Sequence, residues 1–191
     1  MIRKLKKTEA ELNEAYQKVL IWFFSFPEKE MSLNDLSEAL KISKTTANRV
    51  VKRLENEGFL SKEVLGKIWR ISCNRDHAYT YSRKVSYNLM MVYDSGIINE
   101  VHKIIENPRA IILFGSYRKG DDTEKSDIDL AVETLDNKGL RIHELGVLPK
   151  LGYRKGVKVT LHIFSRNHVD LNLFSNIANG IVLEGFLEVR P

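Results

Sequence analysis

The sequence predicts an α/β chain of the α+β kind, with a helical N-terminal unit closed by a hairpin, a helical connector, and a C-terminal unit built on a mixed β-sheet. Three observations lead there. Apolar residues recur at helical spacing up to Leu54 and give way to two β-like runs turned at Gly66. Residues 75–107 return to a helical pattern. Beyond residue 108, short apolar runs alternate with polar turns, and two of those runs carry Gly115-Ser116 and Asp127-Ile128-Asp129. The expected divisions are 1–74, 75–107 and 108–191.

The first unit reads element by element. From Thr8 to Phe26, Leu12, Ala15, Tyr16, Val19, Leu20, Phe23 and Phe24 make one helical stripe that Pro27 closes. Ser32 is the expected N-cap ahead of Leu33, Leu36, Ala39, Leu40 and Ile42, with Asp35 in the first turn. Ser43 caps a third helix whose Ala47, Val50, Val51 and Leu54 face inward, and Gly58 is placed to end it in a left-handed conformation. Phe59 to Leu65 and Lys67 to Ser72 follow as a hairpin.

This order resembles the winged-helix transcription regulators over roughly residues 10–74. Three stretches carry the match: Leu36-Ser37-Glu38-Ala39-Leu40, Ser43-Lys44-Thr45-Thr46, and the run from Arg53 to Leu60. The resemblance implies that Lys44, Thr45, Thr46, Asn48, Arg49 and Lys52 face double-stranded DNA, with Lys62, Lys67 and Arg70 on the wing. It also leaves open a protein partner, because winged helices serve that role too, and a homodimer, because they often read palindromes. The charge agrees with an anionic partner: residues 1–95 hold 17 Lys/Arg against 12 Asp/Glu, and residues 96–191 hold 13 of each.

In the connector, Tyr79, Tyr81, Val85, Tyr87, Leu89, Met90, Val92 and Tyr93 form a broad apolar stretch broken at Gly96. Ile97, Ile98, Val101, Ile104 and Ile105 form a second stripe, ended by Asn107-Pro108. A packed helical connector is the expectation.

The chemistry lies beyond it. Arg109 to Phe114 reads as a buried strand ending at Gly115-Ser116, and Asp127 to Val132 reads as a second strand. Side chains alternate along a strand, so Asp127 and Asp129 share a face about 6.6 Å apart, a spacing that suits a hard cation. Two like charges held together are costly unless a cation offsets them, which argues for magnesium. Gly115 lets backbone amides approach a phosphate and Ser116 adds a hydroxyl.

The spacing of Gly-Ser, ten residues, then Asp-x-Asp resembles the DNA polymerase β-like nucleotidyltransferase superfamily. It is most similar to the minimal nucleotidyltransferases, some of which are antitoxin partners of HEPN-domain proteins. The match runs Leu113-Phe114-Gly115-Ser116-Tyr117-Arg118-Lys119-Gly120, then Ser126-Asp127-Ile128-Asp129-Leu130-Ala131-Val132. It extends through a third strand, Val157 to Phe164, and a closing helix and strand within Phe174 to Gly185.

That resemblance implies Asp127 and Asp129 as catalytic metal ligands, with Gly115, Ser116, Arg118 and Lys119 toward the triphosphate of a bound nucleotide. Asp121, Asp122 and Glu124 are expected to face solvent. Active members carry a third acid on a later strand, but here that strand reads Lys158-Val159-Thr160-Leu161-His162. Thr160 is its expected equivalent, with Lys158 or His162 as alternatives of register, and His162 as a candidate base. Glu133 lies about 13 Å along the strand from Asp129, too far to share a metal. Glu144 is expected on a helix.

Two functions follow. An enzyme would move a nucleotidyl group from NTP–Mg²⁺ to a hydroxyl acceptor, in the antitoxin-like branch on a HEPN-type partner protein. A DNA-binding transcriptional regulator would sense nucleotide, or hold a partner, without turnover. The 43% apolar and 29% charged fractions are those of a globular protein, and no run reaches the roughly 20 apolar residues of a membrane span, so a cytoplasmic location is expected. Cys73 is the single cysteine, which excludes an internal disulfide and a cysteine zinc cluster.

Overall fold

A computed structural model describes residues 14–66 and 68–189. The predicted helix start at Thr8 with Leu12, and Lys67 of the wing, lie outside the described residues.

The N-terminal unit packs α1 (Glu14–Ser25), α2 (Leu33–Leu40) and α3 (Lys44–Asn56) under a hairpin of β1 (Leu60–Leu65) and β2 (Ile68–Cys73). Both serine caps form: Ser32 Oγ accepts from the Asp35 amide, and Ser43 Oγ from the Thr46 amide, each at 3.1 Å. The inward residues of all three helices meet in one core around Val19, Phe23, Leu36, Val51, Leu54, Phe59 and Ile71, all essentially inaccessible. Burying each such side chain stabilises by about 1.5–3 kcal/mol, which is what holds so small a unit together. Cys73 belongs to this packing. Its thiol donates to the Pro27 carbonyl, and burial pushes its pKa up to about 11, so it is no nucleophile at neutral pH.

The connector opens with a π-helical turn, Thr80–Lys84, that runs into α4 (Val85–Asp94) and, after Gly96, into α5 (Ile97–Ile104). Val92, Ile97 and Val101 then cover one face of the C-terminal sheet.

That sheet contains β3 (Ala110–Phe114), β4 (Ile128–Glu133), β5 (Arg141–Leu151), β6 (Arg154–Phe164) and β7 (Ile181–Gly185), in the order β5-β6-β4-β3-β7. Only β4 and β6 pair in parallel, so the sheet is mixed as expected. A short helix α6 (Gly115–Lys119) follows β3, and α7 (Leu171–Ala178) precedes β7. The face bearing Ile128, Leu130, Leu161 and Ile163 packs on the connector. The opposite face, with Ile112, Phe114, Ala131 and Phe164, packs on Ile177 of α7. The alternation of β4 places Asp129 on this second face.

Two expectations are corrected. Glu144 is not helical but sits on β5, directly opposite Thr160. Asp122 is not solvent-facing: it is 2% exposed. Glu133 is also buried, with its carboxylate 3.2 Å from Arg166 and 3.8 Å from Arg109. Glu188 binds the same two arginines from outside. Glu133 is thus committed to a clasp at the far end of the sheet.

Candidate functional site

The residues expected to face a nucleotide come together where β3 ends. Gly115 has φ +71°, and a Cβ there would lie 2.8 Å from Asp129 Oδ2, so only glycine lets the Asp129 carboxylate sit against this turn. Asp127 stands immediately before β4, exposed, and its carboxylate has no ion pair or hydrogen bond among the described residues. Ser116 is half-buried, Arg118 half-buried and Lys119 exposed. Neither cation pairs with a carboxylate among the described residues, so both remain available to a phosphate.

The register of the parallel ladder shows which of the three candidate residues lies beside Asp129. Asp129 is paired with Thr160, not with Lys158 or His162. His162 lies two residues further along the same face, packed edge-on against Phe114, with Nε2 3.4 Å from Asp129 Oδ1. Its Nδ1 is buried without a hydrogen-bond partner.

The loop that joins α6 to β4 connects the two halves of the candidate site, and it is held from outside the motif. Lys84 and Asp122, each 3% exposed at the side chain, form an ion pair at 3.2 Å, and Lys84 Nζ also donates to the Asp122 carbonyl at 2.5 Å. Burial pushes the Lys84 ammonium down and the Asp122 carboxyl up, and each charge is sustained by the other. Asn88 donates to Asp122 Oδ1 at 2.7 Å and to the Tyr117 carbonyl at 3.0 Å. Arg154 reaches the Ser126 and Glu124 carbonyls at 2.5 and 3.1 Å and bonds the Tyr117 hydroxyl. Gly120, at φ +83°, lets the Thr80 carbonyl pass where a Cβ would stand. None of these supports is legible in the sequence. A lysine at position 84 within an apolar helical stretch is the one available signal.

On the other unit, Lys44, Thr45, Arg49 and Lys52 are exposed along α3, and Thr46 and Asn48 are half-buried. Leu33, Lys44, Thr45, Asn48, Arg49 and Lys52 line one open groove of about 490 Å³. Lys44, Arg49 and Lys52 have no ion-pair partner among the described residues. The Thr46 hydroxyl is engaged with Ser43 Oγ at 2.8 Å, so its first role is the helix cap. The wing differs: Lys62 pairs with Glu55 at 2.9 Å, and Arg70 with Glu30 and Glu63 at 3.2 and 3.4 Å.

The family comparisons fall on the same two regions. A model described as "Polymerase beta, Nucleotidyltransferase" matches residues 97–184, and one described as "Winged helix-turn-helix DNA-binding" matches residues 28–61. The chain joins a winged helix-turn-helix to a nucleotidyltransferase domain. No curated protein matches it.

The nucleotidyltransferase match begins at the first residue of α5, so it takes in the helix that covers the sheet as well as the sheet itself. The winged helix-turn-helix match spans α2 and α3, including the Ser43 cap and the α3 groove. The all-oxygen pair Asp127 and Asp129 suits Mg²⁺, which needs few protein ligands and takes others from phosphate and water. Among the described residues no three His, Cys, Asp or Glu side chains converge as a self-sufficient metal site. Among them too, no helix is long and apolar enough to cross a membrane.

Proposed function

We propose that this protein is a DNA-binding regulator whose nucleotidyltransferase domain binds a nucleoside triphosphate with Mg²⁺ and turns it over slowly or not at all. The observation that carries this reading is Thr160 standing opposite Asp129, at the position where the third carboxylate is expected. Gly115 and Ser116 would cradle phosphate, Arg118 and Lys119 would neutralise it, and Asp127 and Asp129 would hold the metal. A bound Mg²⁺ would supply charge neutralisation at the phosphates. A threonine hydroxyl takes no proton from an acceptor at neutral pH, so binding outlasts catalysis. Lys44, Thr45, Asn48, Arg49 and Lys52 would contact the duplex, with cations on phosphate and the amide on base edges.

The competing reading is transfer of a nucleotidyl group to a hydroxyl acceptor, including one on a HEPN-type partner protein. It draws support from His162, whose imidazole lies 3.4 Å from Asp129, a proposed metal ligand. Titration calorimetry with ATP–Mg²⁺, run beside a labelled-ATP transfer assay, separates the two. The regulator reading expects ATP binding that Asp127→Asn/Asp129→Asn abolishes, with metal-dependent labelling of the chain or candidate acceptors that is slow or absent. Rapid labelling lost in that variant would establish the enzyme instead, and ATP binding unaffected by the variant would remove both.

A further inference from the structure

The recognition helix and the nucleotide loop are tied to the same short stretch of connector. At one end, Glu57 closes α3. Its carboxylate accepts from the Tyr16 hydroxyl at 2.6 Å, the Tyr79 hydroxyl at 3.0 Å and Arg53 Nε at 3.0 Å. Its carbonyl oxygen lies 3.0 Å from His77 Nε2. Arg83 donates to the Tyr16 hydroxyl at 2.9 Å and stacks over the Tyr79 ring at 4.0 Å. At the other end, Lys84, the residue after Arg83, is buried against Asp122, and Asn88 one turn later holds Asp122 and the Tyr117 carbonyl. Asp122 belongs to the loop between Ser116 and Asp127, the two sides of the nucleotide pole.

We infer that nucleotide occupancy and DNA binding are linked through this run, from Glu57 through Tyr79 and Arg83 to Lys84 and Asp122, with Lys84 and Asn88 acting as positioning residues for the nucleotide loop. The inference rests on the nucleotide-binding reading above. Three features favour a joint that has two arrangements over an inert weld. The stretch that bears Tyr81 to Lys84 is a π-helical turn, a widened form that is rare and concentrates at functional sites. A cavity of about 310 Å³ lies alongside, lined among others by Phe24, Phe59, Cys73, Thr80, Lys84 and Asp122, which gives those side chains room to repack. A partly separated buried pair leaves each ion desolvated and unpaired, which disfavours geometries between two well-paired arrangements. A ligand that favours one arrangement of the loop therefore favours one placement of α3. Thermodynamic reciprocity then requires DNA to change nucleotide affinity by the factor with which nucleotide changes DNA affinity.

The test uses the full chain, a fluorescein-labelled mixed-sequence duplex and ATP–Mg²⁺. Anisotropy gives the duplex Kd with and without saturating ATP–Mg²⁺, and calorimetry gives the ATP Kd with and without saturating duplex. The expected coupling factor is about fivefold or more, equal in both directions. It falls to one in Lys84→Met/Asp122→Asn, which keeps the volume of the pair and removes its charge, whatever the variant does to either affinity alone. Tyr79→Phe, which deletes only the hydroxyl on Glu57, provides a second variant with a sound core and the same expected loss. A factor of one in the unmodified chain with both ligands bound overturns the inference, as does full coupling retained in both variants. Failure of ATP to bind the unmodified chain defeats the nucleotide reading separately. The joint is then read by amide exchange: duplex binding should slow exchange across residues 120–126 in the unmodified chain and not in Tyr79→Phe. Unchanged exchange there counts against the coupling itself.

Discussion

Asp129 and Thr160 face each other across the parallel ladder of β4 and β6, with the Asp129 carboxylate also 3.4 Å from His162. On the proposed reading, a hydroxyl stands where a third carboxylate would complete a metal site. Thr160→Asp is expected to raise metal-dependent nucleotidyl transfer from labelled ATP by about 100-fold, the low end of what a positioned base contributes. Mn²⁺ affinity, followed by electron paramagnetic resonance, should tighten in parallel. If neither moves, the threonine at position 160 is not what limits the chemistry.

Gly115 is constrained twice, by its positive φ and by the carboxylate against it. Gly115→Ala should cost about 1–2 kcal/mol from the left-handed backbone alone. It should also push Asp129 aside, so ATP affinity is expected to drop by more than the small loss in melting temperature accounts for. Equal ATP binding in the variant, measured by calorimetry, would show that the turn does not touch the nucleotide.

Partial burial opposes the charge on Glu57, but hydrogen bonds from Tyr16, Arg53 and Tyr79 outweigh it and hold its carboxyl below the usual glutamate range. A depressed folded pKa adds stability that is complete above the unfolded value and is lost as pH falls through the folded one. Glu57→Gln should therefore flatten the decline in melting temperature on acidification below about pH 4.3, the unfolded glutamate value. A scan in which variant and unmodified chain fall with the same slope would count against that account.

The groove on α3 makes a separate forecast. Lys44→Ala/Arg49→Ala should weaken duplex binding and reduce the slope of log affinity against log salt by about two, one for each cation taken off a phosphate. Lys62→Ala should change that slope little, because Glu55 already holds the ammonium.

Much of this molecule could be read before its structure. The serine caps, the hairpin turn and the strands around Gly115 and Asp129 are local statements, each written within a few residues. What escaped was non-local or disguised. β5 mixes His143, Glu144 and Lys150 with scattered apolar residues, contains Pro149 and is bulged near Leu145, so no period of two survives. Asp122 reads as a loop acid because its burial depends on Lys84 and Asn88, more than 30 residues earlier in the chain. The candidate site was legible in its Gly-Ser and Asp-x-Asp motifs and not in its scaffolding: nothing near Asp127 announces Arg154.

The wing carries its own counter-charges, with Lys62 and Arg70 already matched by Glu55, Glu30 and Glu63. On the proposed reading, base contact then rests mainly on α3, and one helix end in a groove spells out about four base pairs. A word of about four letters turns up by chance about every 250 base pairs, against the million or more competing sites of a genome. A single copy of this chain thus holds too little vocabulary to name one address. Under the DNA-binding proposal, any location it marks would be written as several such words read together.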